Sequence, residues 1–423
     1  MQNLANKGKQ LLKRSESFFK TDIMYLAKGG FWLSLGQGVA MIAGFFISIA
    51  FANLFTKESF GTYKFIISMA GIIGVFSLTE MGTSVTQAVA RDFGGSLRQG
   101  FRINLKWSIG MFLCGLALSI YYYLNANMLL SLSFLLAGIF SPITASASLY
   151  ASYLFGKKDF KRNSLYAMIR NAAPALALIL TILLTRSLPA IIVVYFFSGT
   201  IVTLFLYRRT LRIYQHENNR EDPGLGSYSR HLSAMEIIDN LSGYLDKILI
   251  FHYLGAAPLA VYAFAIAPVE QLQAGKKILS TLILPKLSGR SFEELQKSAP
   301  RKALFLTFYA LLLALVWVLF SPYFYKFLYP QYLDSVFYSQ IYSLTLLAIS
   351  GTIFDYMLVA HKKKKELYIQ RTTTPIVRIT LFFILLPTFG LMGLIVTHVI
   401  TRSFSSILLY YLVKHPLKNQ TDA

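Results

Sequence analysis

The sequence predicts an all-α integral membrane protein of about 12 transmembrane helices. Three observations carry this: an apolar composition, uncharged segments of spanning length that recur along the chain, and a lopsided distribution of lysine and arginine. Of 423 residues, 55% are hydrophobic and only 14% charged, and the mean hydropathy is +0.52. Soluble domains carry about 25% charged residues. The polar surface here is too small for a soluble enzyme, a disordered chain or a disulfide-stapled secreted domain. The single cysteine, Cys114, excludes an intrachain disulfide.

A helix crosses the hydrocarbon with about 20 apolar residues. Residues 29–56 carry no charge and form span 1; residues 65–90 hold only Glu80 and form span 2. Residues 107–156 are uncharged, too long for one span and right for two, with Asn125-Ala126-Asn127 as the turn between spans 3 and 4. Residues 163–185, interrupted by Arg170, and 187–207 are spans 5 and 6. A polar stretch, 208–230, follows, with Pro223-Gly224 and Gly226 as breakers. The count then repeats. Residues 231–253 form span 7, the most polar, then come 259–284, 303–320, 337–360, 374–388 and 391–413, the last two joined at Phe389-Gly390. Ala50-Phe51-Ala52 imitates a signal-peptidase site, but it lies beyond the usual length of about 15–30 residues, so span 1 reads as uncleaved. The expected organisation is a tail 1–28, a first lobe 29–207 (spans 1–6), a linker 208–230, a second lobe 231–413 (spans 7–12) and a tail 414–423, with both tails and the linker cytoplasmic.

The cationic residues support this count. With the N-terminus in the cytoplasm, thirty-one lysines and arginines fall on the cytoplasmic side, four on the other, and six within spans. This is the positive-inside pattern. It accounts for the net charge of +22 without nucleic acid. The Lys362–Lys365 run reads as a topology and headgroup anchor. Outer loops are short, the six histidines show no metal-ligand spacing, and there is no GxxxxGK[ST] or GxGxxG motif. These features favour neither an enzyme nor a metal site.

The two halves also resemble one another. At an offset of 199 residues, Ile49/Ile248, Tyr63/Tyr262, Phe65/Phe264 and Ile67/Ile266 are identical, each set lying around the first outer turn of its half. Six spans separate equivalent helices, so the two six-helix lobes have the same orientation and are related by a pseudo-two-fold along the membrane normal. A cavity between lobes suits a transporter.

Charges within spans mark a cavity or pathway by default. Glu236, Asp239, Asn240, Gly243, Asp246 and Lys247 fall within about 120° of one face of span 7, and Asp246 and Lys247 lie near its outer end, where an interfacial position is the alternative. Span 12 carries His398 and Arg402 at i, i+4 with Thr397, Thr401, Ser405 and Ser406. Arg402 faces either a hydrated cavity with an anionic ligand or a buried ion-pair partner; His398 is a titrating group or a packed one. Arg378 and Arg170 lie one to two turns from the cytoplasmic ends of spans 11 and 5, and Lys276 and Lys277 near that of span 8. Glu80, Glu270 and Asp355 complete the membrane acids and either balance the arginines or carry a coupling proton. Several basic groups in one cavity would hold phosphate or pyrophosphate, because the guanidinium fork binds its oxygens bidentately.

Local motifs add a resemblance. Phe60-Gly61-Thr62-Tyr63, Leu78-Thr79-Glu80-Met81-Gly82 with Arg91, Asp246-Lys247 through Tyr253-Leu254-Gly255 to Val261-Tyr262-Ala263, Leu284-Pro285-Lys286-Leu287-Ser288, and Leu328-Tyr329-Pro330-Gln331-Tyr332 recur in order. In these the chain resembles the polysaccharide (O-antigen, Wzx-type) flippases of the multidrug/oligosaccharidyl-lipid/polysaccharide (MOP) exporter superfamily. Ala260 and Pro330 stand where that family usually has glycine.

The resemblance implies a MATE-like V of two lobes in a bacterial or archaeal cytoplasmic membrane. It implies a polyprenyl-pyrophosphate-linked oligosaccharide moved to the outer leaflet by alternating access for cell-surface polysaccharide biosynthesis. On this reading Arg402, Arg378, Arg170, Lys247 and His398 face the substrate, and Glu236, Asp239, Asp246, Glu270, Glu80 and Asp355 serve coupling or gating. No cofactor is expected beyond a coupling H+ or Na+. Expected partners are the lipid-linked sugar and membrane lipids, with a polysaccharide polymerase and a chain-length regulator beside a monomeric transporter. The alternatives are an ion-coupled multidrug or small-molecule antiporter on the same fold, and a membrane glycosyltransferase or polymerase.

Overall fold

The computed structural model describes residues 23–215, 218–273, 287 and 290–417. The tails carrying Lys7 to Lys20 and Lys418, and the pair Lys276 and Lys277, lie outside the described residues, as do Pro285-Lys286 and Ser288. Among the described residues every regular element is helical, as hydrocarbon requires, since only a helix bonds its own backbone within one segment.

Span 1 is Ile23–Leu54. Span 2 begins at Lys57, earlier than hydropathy suggests, because the Thr56 hydroxyl accepts the Ser59 N–H and caps the helix. It runs as Lys57–Ile73, breaks after a 3-10 turn at Gly74–Phe76, and resumes as Met81–Ala90. Span 3 is Ser96–Trp107 continued by Ile109–Leu124, so most of the basic loop before it is helical. The turn falls at Asn125–Asn127: Ala126 has φ 56°, and the Asn127 side chain accepts the Leu130 N–H at 3.1 Å. Span 4 is Met128–Ala147 with Leu149–Gly156, span 5 Phe160–Thr185, and span 6 Leu188–Ile213.

Span 7 is Leu225–Tyr253, so Gly226 lies inside a helix instead of breaking one. Span 8 is described over Ala256–Gln273. Span 9 is Phe292–Leu328, which draws the loop before residue 303 into the helix. Span 10 is Ser335–Tyr342, a 3-10 stretch Ser343–Ser350, and Gly351–Ala360. Spans 11 and 12 share the range Lys364–Lys414, reversed at Gly390 (φ 57°, ψ −136°), a conformation open to glycine. Nine helices among the described residues pass as spans by length and apolarity. The count of twelve is reached with span 7, whose charges exclude it, the part of span 8 described, and the division at Gly390.

Packing divides the molecule unevenly. One buried cluster at the end opposite the basic loops draws on both halves, including Phe51, Phe60, Phe134, Phe264, Tyr325 and Phe382. At the basic end there are two clusters. Leu78, Val85, Tyr153, Leu206 and Leu225 belong to one; Leu295, Met357 and Leu412 belong to the other. The halves therefore share a core at one end and have two clusters at the other, the first of them reached from span 7 by Leu225, a V.

The shared end is an aromatic seam. Phe65 stacks on Phe251 at 3.8 Å and 8°, and Phe60 lies 4.6 Å from Phe264. Tyr329 shares a 2.8 Å hydrogen bond with Ser48, Asn53 Nδ2 donates to the Leu328 carbonyl at 3.1 Å, and Lys57 pairs with Asp334 at 2.6 Å. Span 2 also follows span 7 towards the basic end, where the Glu80 N–H donates to Ser233 Oγ at 3.1 Å.

Gly61 sets how closely the seam closes. A Cβ there would lie 1.8 Å from the Ala256 carbonyl oxygen, whereas one at Gly38 would meet nothing within 4 Å. Gly61→Ala is expected to destabilise the detergent-solubilised protein by about 1–3 kcal/mol through overpacking, and Gly38→Ala to leave it unchanged or slightly more stable. Thermal unfolding of both variants checks this; equal melting temperatures would mean that the seam does not depend on that close approach.

Candidate functional site

A cavity of about 430 Å³ opens in the basic half of the second lobe, between spans 7, 10, 11 and 12. Its charged walls are Glu236, Asp239, Asp355, Arg371, Arg378 and Arg402. Helical spacing puts them there: Glu236 and Asp239 are three apart on span 7, and Arg371 and Arg378 seven apart on span 11. Gly351 lets span 10 approach span 12 closely, since a Cβ on it would lie 2.4 Å from Ser406 Oγ.

The arginines are paired. Arg371 Nη1 meets Glu236 Oε1 at 3.0 Å. Arg378 Nη2 meets Asp239 Oδ1 at 3.0 Å and also donates to Ser242 Oγ. Arg402 Nη2 meets Glu270 Oε1 at 2.6 Å and the Tyr342 hydroxyl at 3.0 Å, while its Nη1 donates to Gln273 Oε1 at 2.8 Å. Tyr342 donates in turn to Glu270. Three arginines and three carboxylates line the wall, so its formal charges balance. The expectation of a basic cavity is corrected here: a guanidinium in the membrane needs a counter-charge, and Glu236, Asp239 and, from behind the wall, Glu270 supply them. Arg378 and Thr374, both lining residues, each keep one buried donor, Nε and Oγ1, with no partner among the described residues. Each such unmade bond costs about 1–3 kcal/mol.

Deeper, a second polar group lies between spans 7, 8 and 12. Tyr262 donates its hydroxyl proton to Asp246 Oδ2 at 2.6 Å. That proton is then committed, so His398 Nε2, 2.7 Å from the same hydroxyl, must be the donor to it. Nδ1 is the ring nitrogen left to take up a proton. Lys247 Nζ lies 3.1 Å from Asp246 Oδ1. The His398 ring meets the edge of Tyr342 at 5.7 Å and of Phe382 at 5.5 Å, so Tyr342 touches both this group and the Arg402 cluster. Asp246 is 2% exposed and so is enclosed by its neighbours.

The structure thus brings Arg378, Arg402, Glu236, Asp239 and Asp355 to one cavity, and gathers Asp246, Lys247 and His398 into the deeper group. Glu270 stands behind Arg402. Two residues lie elsewhere. Arg170 is exposed on span 5, and Glu80 sits at the break in span 2, accepting from Thr83 Oγ1 at 2.6 Å. Arg371, Gln273, Tyr342 and Thr374 were not among the residues expected here. Arg371 stands seven residues before Arg378 and so on the same face, a signal obscured by its place beside the basic loop.

Arg402→Ala would leave Glu270 without its cation among spans 8, 10 and 12. The expected loss is ~1–3 kcal/mol, with partial recovery when Glu270→Gln is added. Thermal unfolding of the single and double variants measures it, and an unchanged melting temperature for Arg402→Ala would show that the cluster does not hold these spans together.

A family model described as polysaccharide biosynthesis protein matches residues 26–288, more than half of the chain. Among curated proteins no sequence match is found. Among solved structures, the lipid II flippase MurJ in an inward closed conformation aligns with TM-score 0.66 at 15% identity, over 90% of this chain and 87% of that one. A MATE crystal structure in complex with MaD5 aligns with TM-score 0.62 at 12% identity, over 92% and 94%. An outward-facing MATE family transporter of the MOP superfamily aligns with TM-score 0.58 at 13% identity, over 92% and 94%. At these identities the likeness is one of fold. By its family match, the chain belongs to the polysaccharide biosynthesis protein family, built on the fold of the MATE and MurJ transporters.

Proposed function

We propose that this multi-pass membrane transporter flips a polyprenyl-pyrophosphate-linked oligosaccharide from the cytoplasmic to the outer leaflet. The observation that carries the reading is the cavity at the basic end with Arg371, Arg378 and Arg402 in its walls. Guanidinium groups suit the oxygens of a pyrophosphate, and the positive-inside pattern turns this end to the cytoplasm. The volume is in the range of small-ligand pockets, about 300–1,000 Å³. It suits the pyrophosphate and the first sugar, with further sugars between the lobes and the lipid tail in the bilayer. The seam at the other end keeps the outer side shut while the headgroup enters. No covalent step is involved, and the transporter acts as a monomer among membrane lipids, delivering its cargo to a polymerase and chain-length regulator.

The coupling ion in this reading is a proton. Lys247 already supplies Asp246 with an ammonium, so a sodium ion has little to gain there. His398 Nδ1, by contrast, is the ring nitrogen without a proton while Nε2 donates to Tyr262, and so is the atom open to one. The carboxylates Glu236, Asp239 and Asp355 favour a second reading, an antiporter for a cationic small molecule.

Proteoliposomes holding a fluorescent polyprenyl-pyrophosphate oligosaccharide in both leaflets, with an impermeant quencher added outside, separate the two. Protein-dependent exchange of the protected pool is expected, faster under an imposed proton gradient. His398→Gln keeps a donor to Tyr262 but cannot titrate, and is expected to exchange at a rate the gradient no longer alters. Exchange that never exceeds that of empty liposomes, across several sugars, would favour the antiporter; a gradient response retained by His398→Gln would remove the proton from that site.

A further inference from the structure

Arg378 is half engaged. The side-on edge of a guanidinium presents Nε–H and Nη2–H to the two oxygens of one anion. Here Nη2 is taken by Asp239 Oδ1 at 3.0 Å and by Ser242. Among the described residues Nε on the same edge has no partner, and neither does Thr374 Oγ1, one turn earlier on span 11. Two unpartnered donors one turn apart on one helix, both on residues that line the cavity, suit an oxyanion, and the carboxylate on Nη2 occupies part of the edge it would take.

Arg371 repeats the arrangement two turns away. Its Nη1 is held by Glu236 at 3.0 Å, one helical turn before Asp239 on span 7. Both anions thus come from span 7 and both cations from span 11. Span 7 also packs against the first half through Phe251 on Phe65 and Ser233 on Glu80.

We propose that Asp239 and Glu236 are built-in counter-anions that occupy the phosphate-binding arginines of the empty transporter. A phosphate group of the ligand takes Arg378 Nε, Arg378 Nη2 and Thr374 Oγ1 by displacing Asp239. This rests on the cargo reading above and adds to it a residue-level site and a competitor. The carboxylates keep the arginines charge-paired while no ligand is present. Their displacement also unties span 11 from span 7, so that filling the site loosens a bond between span 11 and the helix that packs on the first half. The carboxylates set selectivity as well, because a ligand must bring enough negative charge to replace them. A pyrophosphate does so, and a neutral glycolipid does not.

The test is equilibrium binding to the full chain in nanodiscs, with geranylgeranyl pyrophosphate as probe, geranylgeraniol as neutral control, and inorganic pyrophosphate to separate the headgroup from the tail. Asp239→Asn removes the competing charge and is expected to bind the prenyl pyrophosphate about tenfold tighter than wild type, and Glu236→Gln more modestly tighter. Arg378→Lys keeps the charge but loses the Nε edge and is expected to bind more weakly, as is Thr374→Val. Geranylgeraniol binding is expected to be the same in all. If Asp239→Asn does not fold, Glu236→Gln and Thr374→Val carry the same comparison. Equal affinity of wild type, Asp239→Asn and Glu236→Gln would overturn the counter-anion role and leave the proposed cargo standing. Absence of prenyl pyrophosphate binding in wild type and variants alike would overturn both.

Discussion

A charge within hydrocarbon must be paired or wet, and Arg378 and Arg402 meet that demand in both ways. Each lines a cavity and each is held by a carboxylate from a neighbouring span. Much of the second lobe is arranged round this. Span 7 carries its acids on the face turned to spans 11 and 12, span 10 comes close at Gly351, and Tyr342 and Gln273 accept further bonds from Arg402. A balanced cavity wall also tells a transporter something about its ligand, since an anion can enter only by taking the place of an anion already there.

The two halves share a fold pattern without sharing this chemistry. At the repeat offset, Ile47 stands opposite Asp246 and Gly71 opposite Glu270. The buried Tyr63 packs against Phe51, whereas its counterpart Tyr262 joins Asp246 to His398. The common aromatic positions serve the seam, where both halves meet, and the polar group is confined to one of them. The seam joins them at one end; at the other each lobe has a core cluster, and span 7 reaches into that of the first half through Leu225 and to Glu80 through Ser233.

How far the sequence alone reaches is seen in particular elements. The uncharged runs, the turn at Asn125–Asn127, the reversal at Gly390 and the side on which the basic loops gather were legible in it, because hydropathy, charge and turn chemistry are properties of short stretches of chain. The same source misplaced the start of span 2, where a Thr56 cap outweighs the charge of Lys57 and Glu58. It also set the start of span 9 late, because charged residues can extend a helix beyond the hydrocarbon.

The sequence by itself determined the class of molecule, the number of its spans and the list of charges that have to be explained. Only the tertiary structure decided which charges meet. Arg371 finds Glu236 across 135 positions of chain, and Arg402 finds Glu270 across 132. It placed Arg170 on an exposed face and took Asp246 into the interior. Periodicity says which residues share a face of one helix, but the rotation of that face towards a partner is set by how ridges, glycines and aromatic rings of different spans fit together. That fit depends on the whole bundle, and no single span contains it.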